Sequence, residues 1–188
     1  MSISMIILIV IAIIVLLIII MFIGAYNSFV KLRNNVEEAF ATMDVYMKKR
    51  FDLIPNLVET VKGYAAHEWG TLEKVVQARN ITQNTATIED RIAGENALTG
   101  TLKSLFAVVE NYPDLKANQN FMDLQGQLQR VEEDIANSRK YYNATVKQYN
   151  TKTETFPSNI IAGIFHFQRK PMFEVETEEK KQNIKIQF

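Results

Sequence analysis

The chain has 188 residues, with Lys+Arg and Asp+Glu at 21 each and no cysteine. Neutral balance gives no general electrostatic case for nucleic-acid binding, and the missing cysteines exclude disulfides, thiolate metal sites, cysteine nucleophiles and lipidation through cysteine. The seven glycines never lie closer than six positions apart, so neither a P-loop nor a dinucleotide-binding G-x-G loop can be built.

No side chain before Lys31 is charged, and Ile3 to Ala25 is almost wholly Ile, Leu, Val and Met. As a helix this run would be ~35 Å long, against a hydrocarbon core of ~30 Å. It is read as an uncleaved transmembrane anchor. A signal peptide wants a basic n-region, a shorter apolar core and a small-x-small cleavage site, all missing here. A core helix is rarely apolar on every face over such a length. Lys31, Arg33, Lys48, Lys49 and Arg50 follow the run and no basic side chain precedes it. The positive-inside rule therefore puts the N-terminus outside and the remainder in the cytoplasm.

From residue 27 to about 156 the apolar spacing is helical. Helix 1 carries Phe29, Leu32, Val36, Phe40, Met43 and Met47 and continues out of the anchor. Pro55 then interrupts the pattern. A proline inside a helix loses a hydrogen bond and clashes with the preceding turn, whereas in a first turn it is free of that cost. With Asp52 as N-cap, the spacing predicts a corner, with helix 1 ending near Arg50 and helix 2 starting near Leu53; a kinked continuous helix is the alternative. Arg50, Asp52, Pro55 and Asn56 then form a compact junction, a candidate partner site, with a satisfied turn as the simpler role.

Helix 2 is predicted to run to about Gln83. Thr87 and Asp90 resemble a capping box that opens helix 3, and Pro113 punctuates its end. Asn118 caps helix 4, whose seam of Phe121, Leu124, Leu128, Val131, Ile135, Tyr142, Val146 and Tyr149 keeps a coiled-coil-like spacing interrupted by Ser138. Short connections make successive helices antiparallel. The expected fold is all-α: a transmembrane anchor over 1–26, an antiparallel up-down bundle of four long helices over 27–157, and an irregular tail over 158–188. The Pro55 corner and the 112–118 loop would be distal to the bilayer, the 81–87 turn and the end of helix 4 proximal.

Two further stripes are candidates. Tyr142 and Tyr149, like Asn143 and Asn150, are seven apart and share a helix face. They are either buried tyrosines with partners inside the bundle or a polar stripe for contact between subunits. The segment 158–173 is apolar, with aromatic and basic residues. Ile160, Ile161, Phe165, Phe167, Arg169 and Lys170 make it a candidate membrane-interface segment, with packing across the bundle base as the alternative. The last fifteen residues are charged, then alternate Ile184, Ile186 and Phe188 in a strand-like way, suited to pairing as an added strand.

The stretch "YNSFVKLRNNVEEAFATMDVYMKKRFDLIPNLVETVKGYAAHE" resembles the opening of LemA family proteins, as do "VVQARN", "YPDLKANQNFMDLQGQL", "SRKYYNATVKQYN" and "FPSNIIAGIFHF". Arg50 to Val58 is the most specific of these matches. One departure is Phe40, where the family pattern has tryptophan. The resemblance implies a bacterial inner-membrane protein with a helical-bundle domain and no established catalytic activity. A magnetosome-associated relative implies a part in membrane organisation.

The residue types for chemistry do not assemble into a known pattern. His67 and His166 are the two histidines, no E-x-x-H is present, and "HEW" at 67–69 lacks the second histidine of H-E-x-x-H. No G-x-S-x-G elbow occurs. The carboxylate pairs, Glu132-Glu133-Asp134 among them, read as solvated helix faces with basic neighbours. The expectation is a non-enzymatic protein without metal or cofactor. It is expected to self-associate as a homo-oligomer and to scaffold membrane organisation or remodelling. The alternative is a regulatory adaptor for a membrane protease or signalling receptor. Its expected partners are the lipid bilayer, further copies of itself and another membrane protein, with no nucleic acid.

Overall fold

The computed structural model describes residues 2–83 and 87–173, and among these every regular element is helical. In chain order they are α1 (Ile3–Lys62), a 3-10 turn (Ala66–Glu68), α2 (Trp69–Gln83), α3 (Ile88–Val109), α4 (Pro113–Lys116), α5 (Gln119–Glu154) and α6 (Ser158–Ile164). The alternating Ile184, Ile186 and Phe188 lie outside the described residues. The chain divides into two units: residues 2–40 with 141–172, and residues 41–83 and 87–140 with Phe173.

The corner predicted at Pro55 is not there. α1 runs from the apolar segment through Pro55 to Lys62 as one helix, and the chain turns at Gly63–Ala65 instead. That turn is closed by Gly63 N–H donating to Glu59 O at 3.3 Å and Ala65 N–H to Val61 O at 2.8 Å. The reason lies in a neighbouring helix. Proline has no N–H, so the carbonyl four residues earlier, Phe51 O, loses its helical donor. Arg79 on α2 supplies one: its Nε donates to Phe51 O at 3.1 Å, and its guanidinium lies 3.6 Å from the centre of the Phe51 ring. The apolar stripe of α1 accordingly continues without a shift, through Met47, Ile54, Leu57 and Val61, all buried.

The second unit is an antiparallel four-helix bundle, and its cross-helix pairs fix the register. Lys62 lies over the Trp69 ring and Arg79 meets Phe51, so α2 runs back along α1. Asp44 pairs with Arg91 and Arg50 with Glu95, so α3 runs forward again. Tyr64 accepts from Asn118 and Arg50 reaches Glu132, so α5 returns. The core between them contains Ile54, Leu57, Val75, Leu98, Leu105, Phe121 and Leu128, and burial of each large side chain contributes roughly 1.5–3 kcal/mol. α2 and α3 approach closely: a Cβ built on Gly94 would lie 3.3 Å from Thr82 Cα. The caps follow the sequence reading. Thr87 Oγ1 accepts from Asp90 N–H at 3.0 Å, and Asn118 Oδ1 accepts from Phe121 N–H at 3.0 Å. α2 ends with Thr82 and Gln83 beside Asp44 and Lys48 of α1.

The first unit pairs residues 29–40 of α1 with residues 142–149 of α5. Phe29 meets Tyr149 edge-on at 6.3 Å and Phe40 meets Tyr142 at 5.8 Å, again antiparallel. Phe40 thus supplies an aromatic ring against Tyr142. The side chains of the apolar segment make no core: Ile3 to Met21 are exposed throughout. This is the one helix among the described residues long and apolar enough to cross a membrane.

Candidate functional site

The four residues expected at a corner are separated by the continuous helix. Asp52, Pro55 and Asn56 stand on its exposed face. Asp52 is not a cap; it pairs with Lys48 one turn away at 3.8 Å. Arg50, at 0% exposure, points the other way into the bundle. It forms ion pairs with Glu95 and Glu132, and its Nη1 donates to Thr99 Oγ1 at 2.8 Å. Arg91 joins the cluster through Asp44 and, at 3.6 Å, Glu95. Glu132, expected on a solvated face, is therefore Arg50's partner. Arg139 completes the group, stacked 4.3 Å from the Phe173 ring. Burial, and then the positive charge of Arg50, hold its pKa below the ordinary arginine value. A buried cationic cluster with matched carboxylates fixes how α1, α3 and α5 meet, since an uncompensated charge there is heavily penalised.

The tyrosine–asparagine stripe faces its own chain. Tyr142 and Tyr149 are each 1% exposed. Tyr142 Oη donates to Pro171 O at 2.9 Å. Asn150 holds Lys170 twice, donating to its carbonyl at 2.8 Å and accepting from its N–H at 2.9 Å. Asn143 is half-buried beside them. A face read as a subunit contact thus clamps residues 170–171 of the same chain, because an amide side chain can satisfy both backbone polar groups of a residue outside regular structure.

The clamp pulls the 158–173 segment back against the start of α1. α6 ends in a Schellman motif: Phe167 N–H donates to Ala162 O at 2.9 Å and His166 N–H to Gly163 O at 3.4 Å. His166 takes the left-handed conformation that the motif requires, with φ 57°. This turn sets Phe167 parallel to Phe29 at 4.7 Å and Phe165 against Tyr26 at 4.8 Å. Of the six residues singled out in the sequence, Ile161 is buried and fastens α6, while Ile160 and Phe165 are about half exposed. Arg169 pairs with Glu154 at 2.8 Å. Two more apolar side chains are exposed, Ile164 within the predicted segment and Phe156 just before it, which sequence reasoning missed. The i,i+4 spacing of Ile160 and Ile164 was the available signal.

Between this segment and α1 lies a cavity of about 370 Å³, lined by Tyr26, Arg33, Tyr149, Phe167, Arg169 and Lys170 together with neighbouring backbone. Arg33 and Lys170 make no ion pair among the described residues; the Arg33 guanidinium sits 6.0 Å from the centre of the Phe167 ring. The aromatic residues lie where the apolar helix ends, and the basic residues just beyond them.

These features define an all-α protein with one candidate membrane span and an aromatic, basic base packed against the end of that span. The chain belongs to the LemA family, whose pattern residues 39–188 match. It is similar to Protein LemA of Metamycoplasma hominis, 24% identical over 165 residues, covering 85% of this chain and 74% of that protein. It is also similar to Magnetosome protein MamQ 2 of Paramagnetospirillum magneticum, 26% identical over 180 residues and covering 79% of this chain and 64% of that one. A further relative is Magnetosome protein MamQ of Magnetospirillum gryphiswaldense, 24% identical over 174 residues with the same coverage. The chain thus spans less than two thirds of the MamQ proteins it matches. Two segments that carried the resemblance, "RFDLIPNLV" and "VVQARN", meet in space, since Arg79 of the second caps the carbonyl that Pro55 of the first leaves open.

Proposed function

We propose that this chain is a non-enzymatic, membrane-anchored protein that self-associates and scaffolds membrane organisation in the bacterial cytoplasmic membrane, with its N-terminus outside and its helical units in the cytoplasm. Residues 156–170 form a second contact with the bilayer, beside the anchor. The observation that carries this is the placement of Phe156, Ile160, Ile164 and Phe165, exposed in one short stretch and packed through Tyr26 against the end of the apolar helix. Transfer of half-exposed side chains of this size into an interface contributes roughly 1 kcal/mol each, enough in sum to hold the base of the protein against lipid. The fold also gathers Lys152, Arg169 and Lys170 near Ser28 and Arg33, a basic collar that supports the cytoplasmic side. The buried charges of the second unit are occupied with one another, which supports an architectural role. The magnetosome names of two relatives support a membrane setting.

Light scattering and single-particle imaging of the full-length protein in mild detergent test the scaffold reading. Uniform rings or clusters are expected, and a strict monomer overturns it in favour of the adaptor. The adaptor reading has one observation of its own, an apolar groove lined by Leu102, Phe106 and Leu128. For the interfacial contact, a fluorophore on Ile164→Cys should be quenched by brominated lipid in reconstituted vesicles, and absence of quenching refutes it. Labelling of Ser2→Cys but not Lys103→Cys from outside intact cells is expected for the stated orientation.

A further inference from the structure

We propose that the cavity between the start of α1 and the 165–170 segment binds the phosphate of an anionic phospholipid headgroup, with Arg33 and Lys170 as its cationic ligands and the Tyr149 hydroxyl as a donor. Three observations converge on it. Arg33 and Lys170 line the cavity and have no carboxylate within ion-pair distance among the described residues, whereas neighbouring Arg169 is held by Glu154 at 2.8 Å. Tyr149 is 1% exposed and lines the same cavity, yet its hydroxyl has no hydrogen-bond partner among the described residues. The Tyr149 hydroxyl opens onto the cavity and is free to donate to a molecule held there. The backbone of Lys170 is fixed on both sides by Asn150, so the site is pre-formed.

Depth selects a lipid over a soluble anion. The inference rests on the membrane reading for this step. The apolar run ends at Ala25, and Tyr26 forms one wall. Arg33 is two turns on, ~10 Å along the helix at 1.5 Å per residue. Side chains on a helix lean toward its N-terminus, so the guanidinium reaches back toward the bilayer, into a headgroup layer ~5–7 Å thick on each side. The half-exposed Phe165 and Ile164 flank the opening with apolar surface for acyl chains. A guanidinium grips two phosphate oxygens at once and an ammonium adds a point charge. Burial holds the Tyr149 hydroxyl above its usual 10.0, partly opposed by the charge of Arg33 and reinforced by Glu37, so it is a proton donor at neutral pH. Glu37, one turn beyond Arg33, is the carboxylate whose charge acts on the Tyr149 hydroxyl.

Native mass spectrometry of the full-length protein, released from neutral detergent with phosphatidylglycerol, phosphatidylcholine or inorganic phosphate added, reads this directly. Expected is retention of one phosphatidylglycerol per chain at concentrations where phosphatidylcholine is lost. The Arg33→Gln/Lys170→Gln variant should weaken retention about tenfold, and Tyr149→Phe about threefold. Lys74→Gln/Lys103→Gln, the same charge removal on the second unit, should leave it unchanged. Circular dichroism melts verify that each variant is folded; should Tyr149→Phe unfold, the double variant still decides. Equal retention by wild type and the double variant overturns the site. Displacement of phosphatidylglycerol by inorganic phosphate at equal concentration overturns the lipid as its source. A loss of retention as large in the Lys74→Gln/Lys103→Gln control, with quenching at Ile164→Cys intact, overturns the headgroup site and leaves the membrane contact standing. Retained, site-dependent phosphatidylglycerol with no quenching sinks the interfacial reading and leaves the headgroup site standing.

Discussion

Removing Arg79 should matter chiefly because of Pro55, and a double-mutant cycle isolates that link. Arg79→Ala withdraws the donor from Phe51 O, a part-buried contact at 3.1 Å, and the cation–π contact at 3.6 Å. Leaving the carbonyl without a partner costs ~1 kcal/mol at this degree of burial, and loss of the ring contact costs about another 1 kcal/mol, giving roughly 2 kcal/mol in all. Pro55→Ala restores a backbone N–H within helical reach of the same carbonyl and by itself stabilises by on the order of 2 kcal/mol. In that background Arg79→Ala forfeits only the ring contact, so its cost halves. The coupling of ~1 kcal/mol corresponds to about 2–4 °C in Tm for a chain of this size. Thermal melts of the four full-length proteins in mild detergent, followed by circular dichroism, measure it. If Arg79→Ala costs the same with proline and with alanine at position 55, the carbonyl is not what Arg79 serves, and the explanation of the unbroken helix fails.

Glu95→Gln should destabilise the second unit by about 3–5 kcal/mol, because Arg50 keeps its buried charge and loses its closest carboxylate; Glu132→Gln, at a side chain 35% exposed, should cost distinctly less, and equal losses in denaturant titrations would contradict the burial argument. Gly94→Val should lower Tm, since its Cβ meets the Thr82 backbone at 3.3 Å and backbone cannot yield as a side-chain end can. The hydrogen bond from Tyr112 Oη to Glu68 at 3.0 Å, followed by burial and the Glu68 charge, raises the Tyr112 pKa above 10.0. A folded-state value above the unfolded one gives stability that is present in full below pH 10.0 and is lost as pH rises through the folded value. The Tm gap between wild type and Tyr112→Phe should therefore close at alkaline pH; a gap that stays constant refutes the assignment.

Much of this architecture is written in local pattern. The apolar run Ile3–Ala25, the three-and-four spacing along α1 and α5, and the caps at Thr87 and Asn118 each depend on residues within a few positions of one another, and each appears where the sequence places it. Even the stripe through Arg50, Ile54, Leu57 and Val61 was continuous across Pro55. The turn at Gly63–Ala65 carried no proline, so the stronger punctuation a few residues earlier was mistaken for it. What pattern cannot supply is the identity of a distant partner. Whether proline breaks a helix depends on whether another donor reaches the abandoned carbonyl, and that donor, Arg79, is 28 residues away in sequence. Whether Tyr142 and Asn150 face a second subunit or their own chain depends on where residues 170–171 return. Helical periodicity and hydropathy are properties of single segments, so the sequence alone determined the elements and the long apolar helix. Hydrogen bonds and ion pairs between segments need both ends in place, so the position of the turn, the buried charge cluster and the cavity at the base were decided only by tertiary structure.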